Sequence, residues 1–222
     1  MNLLAIDTST EYASIALSIN GELKSKEQDA QRSHAQALLP MIDQLLAEAE
    51  LNLSQLDAIV YGEGPGSFTG IRIACSVAKG LAFAQNLPLY PVSTLAAIAN
   101  ETFERHDGLH NVLAVIDARM NQLYWAIFKQ NTETLPLAAV TAAADIGLNF
   151  AENLVLAGVG YESYLPQFSP TFKAKIANYF TIFPKTEAMI RLVLKGAITP
   201  VNASEALPVY IRNQITQGES RG

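Results

Sequence analysis

The chain has 222 residues, half of them hydrophobic, with 21 acidic against 15 basic side chains and a formal charge of −6. That length supports one large domain or two small ones with an ample core, and the acidic balance argues against a stand-alone nucleic-acid binder, which needs clustered Lys and Arg. The single Cys75 excludes an internal disulfide, the start Met1–Asp7 lacks the features of a signal peptide, and no window offers ~20 uncharged apolar residues for a membrane span, so a soluble cytoplasmic protein is expected.

In chain order, Leu3 to Asp7 reads as a buried strand and Ala13 to Ile19 as a second. Asn20-Gly21 is a two-residue hairpin signal, with Glu22 to Gln28 as the returning, more exposed strand. Ser33 is placed to cap a helix from His34 to about Glu50, on which Leu38, Ile42, Leu45, Leu46 and Ala49 form one apolar stripe. A strand from Asp57 to Tyr61 then enters the loop Gly62-Glu63-Gly64-Pro65-Gly66-Ser67-Phe68-Thr69-Gly70, and a helix rich in small residues runs from Ile71 to about Gln85. Leu87 to Val92 is a strand and Ser93 starts a further helix. The order βββαβαβα, antiparallel first and alternating afterwards, argues a mixed sheet covered by helices.

Glu104 to His110 is polar and reads as a junction. Beyond it, Val112 to Asp117, Leu123 to Phe128 and Leu154 to Val159 read as strands, with a turn at Asn131 to Thr134, a third strand at Leu135 to Val140, and a helix from Glu187 to Lys195 stopped by Gly196. Shifted by 110 positions, Leu3, Ile6, Asp7 and Ala16 fall on Leu113, Ile116, Asp117 and Ala126. The same strand–turn–strand order in both halves points to a duplicated fold, with Asp7 and Asp117 ending equivalent strands and facing each other across an interdomain cleft.

The glycine loop is where a backbone must come close to something: a phosphate at a helix N-terminus, or another packed element. It is not a Walker A motif, since no Gly-Lys-Ser/Thr follows at the required spacing. Nor is it a dinucleotide fingerprint, because Gly64, Gly66 and Gly70 are spaced G-x-G-x-x-x-G and the next strand offers no acidic residue for a ribose. Gly70, Ala74, Ala78 and Ala82 recur every fourth residue and put small side chains in one row, which favours close packing over phosphate binding. Whether the packed element is internal or a second protein stays open, and Val77 and Leu81 beside the row would suit a partner helix.

Asp7-Thr8-Ser9-Thr10 at a strand end is compatible with a cation or phosphate loop, or with a polar turn whose side chains satisfy local backbone groups. Asp117-Ala118-Arg119-Met120-Asn121 is the matching turn, where Asp117 and Arg119 either pair or present the arginine to phosphate. His106 and His110 have H-x-x-x-H spacing, but the Asp107-Gly108 between them argues a solvated junction rather than a metal site. His34 has no neighbouring ligand type, Cys75 reads as a packed thiol, and Ser67 lacks the G-x-S-x-G context, so no triad is indicated.

Leu4-Ala5-Ile6-Asp7-Thr8-Ser9, Gly64 to Ile73, Pro91-Val92-Ser93-Thr94-Leu95, Ile116-Asp117-Ala118-Arg119-Met120 and Pro208-Val209-Tyr210-Ile211-Arg212-Asn213 together resemble the bacterial TsaB family. The resemblance implies an α/β actin-like ATPase (ribonuclease H-like) fold of two lobes with mixed sheets covered by helices. Residues 1–106 would form the N-terminal lobe with partner-docking helices, and residues 107–222 a reduced C-terminal lobe. It also implies a non-catalytic subunit. With TsaD as direct partner and the ATPase TsaE as third member, it serves transfer of a threonylcarbamoyl group from threonylcarbamoyl-AMP to N6 of the adenosine beside the anticodon in tRNAs reading codons that begin with adenine. tRNA would be reached only through the complex, and a homodimer would form without the partner.

Where catalytic relatives in that resemblance carry a metal-binding H-x-x-x-H after a Pro-Val strand end, this chain has Thr94-Leu95-Ala96-Ala97-Ile98, and where they carry a Gly-Gly phosphate turn it has Ala118-Arg119. No intrinsic cofactor is therefore expected, though a nucleotide at the subunit junction stays open, with Asp7, Thr8, Ser9, Asp117 and Arg119 as the candidate contacts. The helices starting at Ser33 and Gly70 are expected to dock the partner through Leu38, Ile42, Ala74, Val77, Ala78 and Leu81. A stand-alone actin-like ATPase using Asp7, Thr8, Ser9 and Asp117 is the alternative, and a metallopeptidase a more distant one.

Overall fold

The computed structural model describes residues 1–30, 33–132, 134–146 and 153–211. The end of the last motif at Arg212-Asn213, the tail 213–222 and Glu133 of the expected turn lie outside the described residues.

Strands β1 (Leu3–Asp7), β2 (Tyr12–Ile19), β3 (Glu22–Asp29), β4 (Ala58–Gly64) and β5 (Leu89–Ser93) form one sheet in the order β3-β2-β1-β4-β5. Helices α1 (His34–Glu48), α2 (Phe68–Gln85) and α3 (Thr94–Arg105) are interspersed with them. The second sheet is built from β6 (Asn111–Arg119), β7 (Gln122–Lys129), β8 (Ala139–Ala142), β9 (Leu154–Val159) and β10 (Ile176–Thr181), in the order β10-β9-β6-β7-β8, with α4 (Pro170–Lys173) and α5 (Thr186–Leu194). Read from the far edges, the two orders are the same: an antiparallel trio, then two parallel strands on the other side of the first. The duplication is thus complete at the level of sheets. The reduction of the second lobe lies in its outer helices, where a four-residue α4 and short 3-10 turns stand in place of α1 and α2.

The third strand of the second lobe begins at Ala139, four residues after the expected Leu135, and β10 has no alternating pattern strong enough to be read from sequence. Helix α2 begins at Phe68 rather than Ile71 because Ser67 caps it, accepting a hydrogen bond from Gly70 N. Ser33 precedes α1 as expected but makes no capping bond with its side chain.

The repeat offset of 110 needs correction. Leu3 and Ala5 point to the interlobe core with Val112, Ala114 and Ile116, whereas Leu113 and Val115 point to the outer core of the second lobe. Successive strand residues face opposite ways, so a one-residue offset exchanges the faces. An odd offset such as 109, which sets Leu3 on Val112, keeps the faces in step.

Between the sheets lie α3 and α5, crossed over. Helix α3, which closes the first half, covers β6, β7 and β9, and α5, which closes the second, covers β1, β2 and β4. Leu95, Ala96, Ala97, Ile98 and Ala99 of α3 meet Ala188, Met189, Ile190, Leu192 and Val193 of α5 in this buried layer. Polar pairs seal it: Arg191 donates to Glu101 at 2.6 Å, Lys195 to Glu104 at 3.0 Å, Lys185 pairs with Glu27, and the Ser14 and Thr186 hydroxyls lie 2.9 Å apart.

The chain beyond α5 does not stay with the second lobe. Val201 pairs with Leu89 at the edge of β5 through two backbone bonds of 2.8 and 3.0 Å, and Ala206 is buried in the core of the first lobe. The first sheet uses strands up to Ser93 and the second strands from Asn111 on, while residues after α5 return to the first lobe.

Candidate functional site

Two places could carry function: the cleft between the strand ends, and the outer surface of α1 and α2.

The glycine loop lies between them. A Cβ on Gly62 would overlap an Asp7 carboxylate oxygen, one on Gly66 would overlap the Ser9 carbonyl, and one on Gly70 the Thr8 carbonyl. Ser67 N donates to Ser9 O at 2.7 Å, and Thr8 Oγ1 donates to Gly70 O at 2.7 Å. What the loop approaches is the chain's own Asp7-Thr8-Ser9 turn. That explains three glycines without a phosphate.

Asp7 is buried beside this contact. Ser9 Oγ and Ser9 N donate to its Oδ2 at 2.8 and 3.2 Å, while Oδ1 meets no hydrogen-bond donor among the described residues. Burial pushes its carboxyl up to about 6 against the lowering effect of the Ser9 bonds, and Glu27 adds to the rise. Asp117 makes the corresponding bond to the backbone two residues on, accepting from Arg119 N at 2.7 Å. It also pairs with the Arg119 guanidinium at 3.1 Å and accepts a 2.6 Å bond from the Tyr164 hydroxyl. Burial and that carboxylate push the Tyr164 phenol up to about 12.

The two aspartates end equivalent strands but face opposite ways. Asp7 lies on the interlobe side near Met189, and Asp117 follows Leu113 and Val115 on the outer side. Their turns do share one cleft of about 880 Å³, where Ser9, Thr10 and Glu11 face Asp117, Ala118 and Arg119. Arg119, Met120 and Asn121 all have left-handed backbone, with φ of 61°, 51° and 60°. His34 also lines the cleft, and burial lowers its pKa.

The expected docking residues divide. Leu38, Ala74 and Ala78 have no exposed surface and Ile42 only 2 %, because α1 packs on β2 and the row Gly70-Ala74-Ala78-Ala82 packs α2 on β4. Those four are core residues, not contacts for another protein. Val77 and Leu81 are half-buried at the rim. The outward face of α2 exposes Arg72, Ser76, Gly80, Phe83 (81 %) and Ala84, with Ile73 and Val77 half-buried along one edge. A Cβ on Gly80 would meet nothing within 4 Å, and Leu39 of the neighbouring α1 is 48 % exposed.

Cys75 is buried, and burial raises its thiol. His106 follows the end of α3 and stacks on Phe180 with ring centroids 3.9 Å apart. Among the described residues no group of three His, Cys, Asp or Glu is placed to hold a metal ion. The stretch Thr94 to Ile98 is buried in the first turn of α3. No helix among the described residues is long and apolar enough to cross a membrane.

One region escaped the sequence reading. Residues 206–210 run along α2: Lys79 Nζ donates to Ala206 O at 2.9 Å, Tyr61 Oη to Leu207 O at 3.2 Å, and Val209 N to Glu63 O at 2.8 Å. Arg72 donates to the Tyr210 hydroxyl at 2.6 Å and lies 3.7 Å over the Phe68 ring. Only the Pro208-to-Asn213 motif hinted that this stretch mattered.

Two five-stranded mixed sheets of one topology, with crossed helices between them, define an actin-like, ribonuclease H-like two-lobed fold. The comparisons carry this to the family. Residues 25–193 match the family model described as TsaD: tRNA N6-adenosine threonylcarbamoyltransferase. A Haemophilus influenzae protein named tRNA threonylcarbamoyladenosine biosynthesis protein TsaB is 36% identical, over 97% of this chain and 95% of its own length. The Escherichia coli protein of the same name is 32% identical over 97% and 96%. The solved structure of YeaZ from Pseudomonas aeruginosa superposes with a TM-score of 0.83 at 37% identity, covering 94% of this chain and 99% of that one. The chain belongs to the TsaB family.

Proposed function

We propose that this chain acts in tRNA threonylcarbamoyladenosine biosynthesis as a non-catalytic subunit that docks TsaD through the outward faces of α1 and α2, with TsaE as the third member. The observation that carries the reading is Gly80. A glycine in the middle of an 18-residue helix costs about 1 kcal/mol relative to alanine, and nothing in this chain occupies the space its side chain would fill. A helix from another protein, packed closely over Ser76, Gly80 and Ala84 between Ile73, Val77 and Leu39, accounts for it. Without TsaD the same face pairs with a second copy.

The non-catalytic part is supported by the cleft. The glycine loop is filled by the Asp7-Thr8-Ser9 turn, Asp117 is tied to Arg119 and Tyr164, and Thr94 to Ile98 presents methyl groups where the resemblance expects metal-binding histidines. The place left for a nucleotide is the junction with TsaD, and tRNA is reached through the complex.

The experiment is reconstitution with Gly80→Arg. The variant should fold with a slightly raised Tm, fail to co-elute with TsaD, and fail to support modification of tRNA by TsaD, TsaE and the enzyme that makes threonylcarbamoyl-AMP. Full modification with the chain omitted overturns the reading. ATP hydrolysis by the chain alone, abolished by Asp7→Ala, would favour a stand-alone ATPase instead.

A further inference from the structure

A sheet ends on either side in a strand whose outer main-chain groups have no ladder partner, and such an edge invites another strand unless it is blocked. The two sheets here end at β3, β5, β8 and β10. Strand β3 is charged along its length, with Glu22, Lys24, Lys26, Glu27 and Asp29. Strand β5 is bridged on its outer side by Val201 at Leu89. Strand β8 is only four residues long. Strand β10 has none of these guards. Ile176 to Phe183 contains no charged residue, and Ala177, Asn178, Tyr179 and Thr181 are exposed, whereas its neighbour β9 is buried throughout.

The pairing of β10 with β9 shifts register between Ile176 and Asn178 and runs unbroken from Asn178 to Thr181. Just past that regular stretch, Ile182 N donates to Gly158 O at 3.0 Å. Phe180 therefore bonds toward β9 as well, and the N–H and C=O groups of Tyr179 and Thr181 point away from the sheet. Among the described residues those groups meet no partner. The side chains around them are held in place. Tyr179 stacks on Tyr161 with ring centroids 6.4 Å apart, Phe180 stacks on His106, and Thr181 Oγ1 donates to Glu162 Oε1 at 2.8 Å. The edge is thus already shaped for a partner strand, which lowers the cost of adding one.

We infer that β10 is a self-pairing edge, to which a second copy of this chain adds its own β10 antiparallel, joining the two second-lobe sheets into one. A two-fold axis beside Phe180 sets Tyr179 of each copy opposite Thr181 of the other. Every outward N–H then meets an outward C=O, and no group is left over. The charges favour this occupant. The contact stretch is neutral, Lys173 and Lys175 precede it, and Glu162 is bonded to Thr181 near its end. The axis turns the basic end of each strand toward the acidic end of the other. Two such short stretches bury less than the ~1,200 Å² of a standard interface, so the pairing is weak and concentration-dependent. Gly80 lies on the first lobe and β10 on the second, so the inference does not depend on the docking proposed above.

The test is residue-resolved amide hydrogen exchange of the full chain as a function of its own concentration. Between ~10 μM and ~1 mM the Tyr179 and Thr181 amides should slow by about threefold or more, while amides of β6 stay unchanged. Thr181→Pro removes one outward N–H and leaves the bonds to β9 intact, since proline is tolerated where an edge N–H faces solvent. In that variant the slowing at Tyr179 should vanish. Asn178→Lys, which puts a charge on the edge, serves the same purpose should the proline variant not fold. Exchange at Tyr179 and Thr181 that ignores concentration, or a slowing that survives both variants, overturns the self-pairing. Slowing confined to α2 amides overturns it too, while leaving the docking face standing.

Discussion

Gly70 sits with its Cα against the Thr8 carbonyl, and Thr8 returns the contact by donating its hydroxyl to Gly70 O at 2.7 Å. The helix that leaves the glycine loop is thereby fastened to the turn after β1. Gly70→Ala should destabilise the chain by about 1–3 kcal/mol in urea unfolding, because a methyl group meets backbone that cannot step aside. Gly80→Ala, ten residues on in the same helix, should stabilise it by roughly 0.5–1 kcal/mol, since its methyl group enters open space. Equal effects at the two positions would contradict the packing described.

Ala78 separates the core from the docking face. It has no exposed surface, so Ala78→Arg should put an unpaired charge into the first lobe and abolish folding at ambient temperature, with loss of the cooperative thermal transition. A folded Ala78→Arg protein with only a binding defect would mean that α2 is turned about its axis.

Asp7 makes stability depend on pH. Its folded value of about 6 lies above the ordinary 3.8, so the fold favours the protonated form. Its contribution is fully present below about pH 4 and is lost as pH rises through 6, by about 3 kcal/mol at 1.36 kcal/mol per unit. Asp7→Asn keeps an acceptor for Ser9 and removes the titration. The difference in unfolding free energy between Asp7→Asn and wild type should grow in favour of the variant between pH 4 and pH 7, and then level off.

The lobes are joined by ion pairs of unequal depth. Glu101 is 7 % exposed and accepts from both Arg105 and Arg191, whereas Lys195–Glu104 lies in solvent. Glu101→Ala should cost about 2–3 kcal/mol, much of it from leaving Arg191 partly buried without its carboxylate. Lys195→Ala should cost under ~0.5 kcal/mol and fade further in salt. Urea titrations of the two variants separate these cases.

Much of the fold is legible in the residues because local signals there agree. Asn20-Gly21 fixes the first hairpin, Ser93 caps α3, and the apolar runs of β1, β4, β6 and β9 are continuous, whereas the cap of α2 at Ser67 was not read. The row of small residues on α2 was legible as a packing surface, but not which packing. A stripe that faces its own sheet and one that faces another protein have the same spacing, and only the sheet's position shows that Ala74 and Ala78 are inside. The 110-residue offset failed for a related reason. Identities at Leu113 and Asp117 outweighed the period-two alternation that assigns faces. Pro208 to Asn213 could be singled out, but not where it packs, because the bond from Tyr61 to Leu207 spans 146 residues and follows no local pattern.

The crossing of α3 and α5 has a consequence for how such a chain can exist at all. Each half carries much of the cover for the other half's sheet. A fragment ending near residue 106 keeps five strands but loses α5 from over Leu3, Ala5, Ala16, Ala58 and Val60, and α3 retains only its contacts with β4 and β5. The arrangement is that of two halves embracing by exchanged arms, so the stability of each half is linked to the presence of the other.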